Sequence, residues 1–338
     1  MIRAPGGKPM DIWRSAIVRQ TVGEIAADGI DPGALVWLPE MPRDRFRADP
    51  FGLWRADKLY VFAEAFDYRN PVGRIDALVY DRDLNLLDQR VALREPWHLS
   101  YPFVFEAQGE TWMLPEAYKS GTTTLYRARD FPFGWQAVAQ IALDGPAIDA
   151  TPFFHRDRWW LFYAPSQPAA ARRGHLHVAW AAHPAGPWHL HPGNPVRVDA
   201  ASARPGGTPF VQGGTPLVQG GTPFVQGGTP FVQAGTPFVH TGTPYVPSGA
   251  IVLPVQDCRL TYGGALRALV ITRLDETHFE ATDRPYLSPP AWLAPYDDGC
   301  HTLAAAGPVT LIDFKRMDRS ARARGVRLAG IVRRWATG

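Results

Sequence analysis

One hairpin-shaped stretch recurs along this chain, and its spacing restricts the fold more than any other feature. Residues 147–165, AIDATPFFHRDRWWLFYAP, start at an acid, Asp149, and run through a short apolar strand and a charged turn. They end in a second strand crowded with aromatics. β-Branched and aromatic residues suit a pleated, half-buried surface, and a short charged connection suits a hairpin. Residues 48–66 (ADPFGLWRADKLYVFAEAF) and 101–118 (YPFVFEAQGETWMLPEAY) repeat the pattern. Fainter copies are residues 204–212 (RPGGTPFVQ) joined to 250–257 (AIVLPVQD), and residues 301–316 (HTLAAAGPVTLIDFKR). The units open at Asp49, Tyr101, Asp149, Arg204 and His301, at intervals of 52, 48, 55 and 97 residues. Strand-rich units repeating at roughly 40–50 residues are the signature of a β-propeller. Five units predict an all-β, five-bladed β-propeller.

The long interval has its own explanation. Residues 206–247 are six tandem heptapeptides: GGTPFVQ, GGTPLVQ, GGTPFVQ, GGTPFVQ, AGTPFVH and TGTPYVP. Gly and Pro in every unit rule out a helical heptad. One copy supplies the fourth blade's inner strand. The other five add 35 residues, and 97 less 35 leaves 62, near the other spacings. The copies read as a low-complexity insertion in blade four, and any of them could in principle fill the strand.

Two strand-like segments, DIWRSAIVRQ (11–20) and GALVWLPE (33–40), precede the first hairpin, whereas the last unit lacks outer strands. A ring closed by an N-terminal strand, with residues 11–38 in the last blade, accounts for both, because closure removes exposed edges. The expected organisation is one propeller over 1–316 and a basic C-terminal tail over 317–338. Residues 315–338 carry eight basic side chains against one acid, Asp318, so +7 of charge sits there and the overall +3 leaves −4 elsewhere. Such a tail suits weak peripheral contact with anionic lipid, or simply a solvated terminus.

With 46% hydrophobic residues the chain can bury a large core,. No apolar run approaches the roughly 20 residues of a membrane helix. The start, MIRAPGGKPMDIW, lacks the apolar core of a secretory signal, so a cytoplasmic location is expected,. Cys258 and Cys300 are too few for a disulfide framework or a zinc site and read as reduced thiols,.

In a propeller the inner strands line a central channel, and their opening residues converge at one mouth. That gathers Asp49, His98, Ser100, Tyr101, Asp149, Arg204, Cys300 and His301. Glu116 and Asp257 end second strands and can reach the same rim. Trp54, Trp97, Trp112 and Trp159 are candidate sugar-stacking walls, with inter-blade core as the competing reading of each. Two carboxylates, a guanidinium, an imidazole and aromatic rings suit sugar hydroxyls and an anionic group. Phosphate-loop, dinucleotide-binding and metal-ligand spacings are missing from the sequence, so no cofactor, metal or nucleic acid is expected.

The motifs ADPFGLW, IDATPFF and PAGPW resemble the five-bladed propellers of glycoside hydrolase families 43 and 32. More closely, HLSYPFVFE, MLPEA, SARPGG, QDC with YGGAL, and GCHTL resemble the N-terminal domain of glucosamine inositolphosphorylceramide transferases, over residues 11–316 outside the repeats. The hydrolase resemblance implies that Asp49 matches the general base and Asp149 the carboxylate that orients the acid. The acid itself falls at Ala203–Arg204–Pro205, where arginine cannot donate a proton near neutral pH. Glycoside hydrolysis needs two carboxyl groups, so a hydrolase here would have to use Glu116. The transferase resemblance implies that transfer chemistry belongs to a separate C-terminal domain in the plant proteins. Three functions stay open. The first is a carbohydrate-recognising propeller in glycoconjugate or polysaccharide biosynthesis, working with a sugar or glycolipid and a glycosyltransferase partner. The second is a glycoside hydrolase-like enzyme with Asp49 as base and Glu116 as acid. The third is a protein-interaction propeller.

Overall fold

A computed structural model describes residues 9–212 and 249–336, with side chains through residue 330. Five antiparallel sheets form the blades of a ring. Blade one comprises Arg45–Arg55, Lys58–Asp67, Asn70–Tyr80 and Leu86–Leu93. Blade two comprises Ser100–Ala107, Glu110–Glu116, Thr123–Asp130 and Gly134–Ile141. Blade three has Ala147–His155, Arg158–Pro165 and His175–Ala181, with His189–Leu190 and Arg197–Val198 as short outer pieces. Each inner hairpin buries its aromatics between neighbouring sheets: Phe51, Tyr101, Phe103, Phe62 and Tyr163 are essentially inaccessible. A large apolar side chain buried in this way stabilises the fold by roughly 1.5–3 kcal/mol.

Blade five closes the ring as the sequence implies, and with two strands rather than one. Its inner pair, Leu303–Ala306 and Val309–Asp318, is completed by Met10–Val18 and Leu35–Trp37 from the chain's beginning. Met10–Val18 pairs along its whole length, from Met10 opposite Asp318 to Val18 opposite Thr310. The helix Val22–Asp28 between the two N-terminal strands starts in a capping box, in which Thr21 and Glu24 satisfy each other's backbone N–H groups,.

In blade four the inner strand is split into Arg204–Pro205 and Phe210–Val211, both paired with Ile251–Asp257. Ala265–Leu274 and Phe279–Leu287 follow. The first heptapeptide, residues 206–212, therefore supplies this strand. Its second glycine is demanded by geometry. Gly207 has φ +145°, and a Cβ there would lie 1.9 Å from the Leu303 carbonyl oxygen, where blades four and five meet. The other five copies, 213–247, lie outside the described residues. Their attachment does not: the Gly249 N–H donates to Gln212 O at 2.9 Å, so the chain leaves and returns at one point.

The segment read as a basic tail is built otherwise. The strand runs on to Asp318, and Ala321–Ala336 form a helix. Ala323 and Val326 pack into a cluster with Met10, Phe46, Phe66 and Tyr68, and Arg322 pairs with Asp44 at 2.7 Å. Among the described residues no helix is long and apolar enough to cross a membrane.

Deleting residues 1–37 removes both closing strands and leaves Val309–Asp318 as a bare edge, so the truncated protein should lose its cooperative thermal transition. An unchanged melting temperature would show that the ring does not depend on this closure. Excising residues 213–247 should leave the melting temperature within a few degrees, because loop length alters stability by only about 0.6 kcal/mol per doubling.

Candidate functional site at the propeller mouth

Three blades begin with the same device. Asp49, Tyr101 and Asp149 have φ of 50°, 44° and 49°, each inside a β-bulge that shifts the register of its inner strand. The left-handed conformation costs an L-residue roughly 1–2 kcal/mol, and bulges re-aim side chains next to functional sites. Here the turn brings these residues to the mouth, at the spacing the repeats imply.

A second tier, one strand further out, completes the floor. Glu64 pairs opposite Ala48, Glu116 opposite Ser100 and Gln256 opposite Arg204. Asp313 takes the comparable place in blade five, next to Ile312, which pairs with Leu303. Glu64, Gln256 and Asp313 were not singled out from sequence. A signal for Glu64 existed: the 52 residues that carry Asp49 to Tyr101 also carry Glu64 to Glu116, in AEAF and PEAY.

These groups divide into two clusters. The first sits on the seam between blades five and one. Asp313, fully buried, accepts the backbone N–H of Asp49 (2.9 Å), His301 (3.1 Å) and Thr302 (3.1 Å). Asp49 accepts from the Thr302 hydroxyl at 2.9 Å and the Tyr101 N–H at 3.1 Å. His301 lies between them, Nε2 3.4 Å from Asp49 and Nδ1 2.7 Å from Asp313, the latter close but without hydrogen-bond alignment. Its ring stacks on Trp13 at 3.7 Å. Asp49, His301 and Asp313 offer donor atoms within 4.8 Å of one another, near enough to share a cation. In this structure those atoms are engaged with each other and with backbone.

The second cluster joins blades two, three and four. Arg204 Nε and Nη2 reach the two oxygens of Asp149 at 2.6 and 3.3 Å, and Gln256 Nε2 donates to Asp149 at 2.7 Å. The guanidinium packs under the Tyr262 ring at 4.8 Å, with Glu116 Oε2 at 3.6 Å. Above it opens a cavity of about 530 Å³, floored by Glu116, Arg204 and Tyr262 and walled by Tyr118, Arg172 and Arg173. Arg172 lies over Tyr118 (4.9 Å) and Arg173 beside Tyr262 (5.7 Å). No described carboxylate lies within ion-pair distance of either arginine. Sequence reading passed over all three of Arg172, Arg173 and Tyr262, although Tyr262 opens the YGGAL motif.

Other expected residues are placed differently. Tyr101 is closed to solvent and acts as a strut, its hydroxyl held between Thr151 Oγ1 and the Gly207 N–H, both at 2.9 Å. His98 accepts the Gly73 N–H and faces Glu64 at 3.4 Å, outside the cavity. Asp257 points away, tied to Arg259 at 2.6 Å, while its neighbour Gln256 faces the site. Trp54 sits at the far end of its strand, against Gly307. Trp112 is core and donates to Ala107 O. Trp97 and Trp159 also pack with the apolar core. Cys258 and Cys300 are buried free thiols.

Burial dominates the electrostatics. It pushes the Asp49 carboxyl up to about 6, against the pull of His301. Burial, reinforced by Asp49, lifts Glu64 well above the carboxylate range. Burial and the adjacent Asp149 do the same to Glu116. His98 is pushed down to about 4 by burial. Burial opposes the charge of His301, but Asp313 and Asp49 outweigh it and raise the imidazole. Glu116, raised by burial and Asp149 against the pull of Arg204, lies at the floor of an arginine-walled cavity.

The fold and mouth define the class: a five-bladed propeller with a polar, carboxylate-bearing central site. Solved structures with the same architecture include the catalytic domain of the Coprinopsis cinerea GH62 α-L-arabinofuranosidase. It has a TM-score of 0.51 and 12% identity, covering 94% of this chain and 99% of that one. A family 117 glycoside hydrolase of Zobellia galactanivorans has a TM-score of 0.50 and 13% identity, covering 92% of each chain. A sequence-family model described as glucosamine inositolphosphorylceramide transferase 1, N-terminal, matches residues 38–221. The chain belongs to that family. Curated relatives of this description from Arabidopsis thaliana and Oryza sativa subsp. indica are each 35% identical over 49% of this chain. The matched segment spans 22% and 23% of those proteins' lengths, so only about a quarter of each is represented.

Because burial raises Glu64 and Glu116 above their values in the unfolded chain, their contribution to stability falls as pH rises past the ordinary carboxylate range. The contribution is complete below the ordinary carboxylate range. It is lost as pH climbs through about 6 for Asp49 and further still for the two glutamates. The melting temperature should fall from about pH 5 to about pH 8, and Glu64→Gln or Glu116→Gln should flatten that slope and raise the melting temperature at the alkaline end. Slopes identical to the parent in both variants would mean that these carboxyls are already ionised in the fold.

Proposed function

We propose that this propeller is a carbohydrate-recognition domain of glycoconjugate or polysaccharide assembly that holds an acidic sugar without cleaving it. The observation that carries this is the buried Asp149–Arg204 pair. Arg204 stands at the start of blade four, where the resemblance to glycoside hydrolases calls for a proton-donating glutamate, and its fork is engaged on Asp149. That leaves Glu116 at the floor, its carboxyl raised by burial, to hydrogen-bond sugar hydroxyls. Arg172 and Arg173 face the ligand's negative charge, and Tyr118 and Tyr262 provide flat surfaces for a sugar ring,. Membership of the transferase family supports a role beside a glycosyltransferase, which would act on the sugar presented here. One observation favours the hydrolase-like alternative: the raised Glu116 has the protonation state a general acid requires,.

Binding to an array of neutral and acidic glycans separates these readings. Acidic glycans should be retained, and Arg172→Ala or Arg173→Ala should weaken them roughly 10- to 150-fold, as for loss of one charge-assisted hydrogen bond. These two are better probes than Arg204→Ala, which would strand the Asp149 charge and cost about 3–5 kcal/mol of stability. Hydrolysis of an aryl glycoside by the unmodified protein, abolished by Glu116→Gln, would establish the enzyme instead.

A further inference from the structure

A second pocket opens on the same face, in the groove between blades five and one. It has a volume of about 380 Å³ and its walls carry five arginines, Arg14, Arg43, Arg45, Arg47 and Arg316, with Glu40 as the only acid. Met10–Val18 pairs with Val309–Asp318 so that Arg14 and Arg316 lie toward the mouth end, the end at which Arg45–Arg55 begins. Two of the arginines have carboxylate partners. Arg45 pairs with Asp67 at 2.8 Å, and Arg47 with Asp76 at 3.2 Å. Among the described residues Arg14, Arg43 and Arg316 have none within 4 Å. Asp318 is near enough for Arg316 and Arg43 to help hold its carboxyl low, yet it forms no ion pair with them.

Two of the lining arginines also hold a buried donor that no described group answers. Arg47 is 4% exposed and its Nε–H has no acceptor; Arg14 Nε is likewise buried without one. Arg14 lies over Trp37 at 4.6 Å and Arg316 over Tyr296 at 5.7 Å, so aromatic faces orient both guanidinium planes. The chemistry contrasts with the central cavity. There, Glu116, Tyr118 and Tyr262 stand beside Arg172, Arg173 and Arg204 and can meet sugar hydroxyls. Here five guanidinium groups line the pocket, with Glu40 the single acid among its described lining residues. Planar forks with several N–H donors match the oxygens of a phosphate.

We propose that this groove, centred on Arg14, Arg43 and Arg316, is a phosphate-binding site separate from the sugar cavity. Its ligand is a phosphate ester, carried either on a soluble molecule or on a lipid headgroup. A phosphate held there lies on the face that presents the central site, so one phosphorylated glycoconjugate could engage both.

The test uses the full chain with two probes, pyrophosphate followed by calorimetry, and phosphatidylcholine vesicles with and without phosphatidic acid followed by cosedimentation. Arg43→Gln and Arg316→Gln remove charge from accessible positions, and their melting curves confirm folding. Pyrophosphate binding that weakens about 10-fold or more in each variant supports the site with a soluble ligand. Cosedimentation that requires phosphatidic acid and is lost in both variants supports it with a lipid ligand. The site is overturned if neither probe binds the parent protein or if binding survives both replacements. It is also overturned if the effect belongs to Arg172→Ala and Arg173→Ala, which would put the phosphate in the central cavity.

Discussion

A single buried carboxylate holds the seam on which this ring depends. Blades one to four follow one another along the chain, so each is tied to the next by covalent connection. The C-terminal pair of blade five, Leu303–Ala306 and Val309–Asp318, must join the chain's beginning, the two N-terminal strands and blade one, through contacts alone. At the mouth Asp313 makes that join, taking one backbone N–H from blade one and two from blade five. Hydrogen bonds to a charged group contribute about 1.5–3 kcal/mol each, and a carboxylate with no access to water needs several of them. The N-terminal strand completes the same seam lower down by covering the open edge of blade five. Closure therefore comes before chemistry: the bulge that aims Asp49 is pinned through its own N–H to Asp313, so the site cannot form in an open ring.

Charge at the mouth is arranged around that seam. On one side Asp49, Asp313 and His301 form a closed, hydrogen-bonded set with little reach toward a ligand. On the other, Arg204 pairs with Asp149, and burial beside Asp149 raises the Glu116 carboxyl. Arg204 at the start of blade four holds both oxygens of Asp149 and, with Glu116 and Tyr262, forms the floor of the cavity. Arg172 and Arg173, after blade three's second strand, line the cavity with no described carboxylate within ion-pair distance.

The repeat spacing made most of this architecture legible. Positions opening the units were found from sequence because the bulge recurs with the hairpin, and ring closure followed from strands missing at one end and surplus at the other. The outer tier was less visible. Glu64 and Asp313 lie inside apolar second strands, where a lone acid reads as an exposed residue rather than a buried clasp. Asp257 ends its strand as the sequence reading has it, but side chains alternate along a strand, and it is Gln256 that turns inward to Asp149. Trp54 failed for a related reason: five residues along a strand is about 16 Å, enough to carry the ring from the mouth to the other end of the blade. The C-terminal helix went unseen because its arginines drew notice before its small apolar stripe, Ala323 and Val326, which docks it on blade one.

The heptapeptide insertion is the largest departure from a regular propeller, and its attachment explains why the site tolerates it. Blade four's inner strand starts at Arg204, in the mouth, and reaches its far end at Val211, opposite Ile251. Gln212 and Gly249 then bridge the base of the insertion by hydrogen bonds. Extra copies are thus added at the end of the hairpin remote from Asp149 and Arg204, and the strand geometry upstream is already set. Gly207, in the first copy, must be glycine because the Leu303 carbonyl occupies the space of a side chain. A tandem duplication beginning after that copy lengthens the chain without disturbing the contact between blades four and five, whereas a change inside it would separate the two inner strands that carry Arg204 and His301.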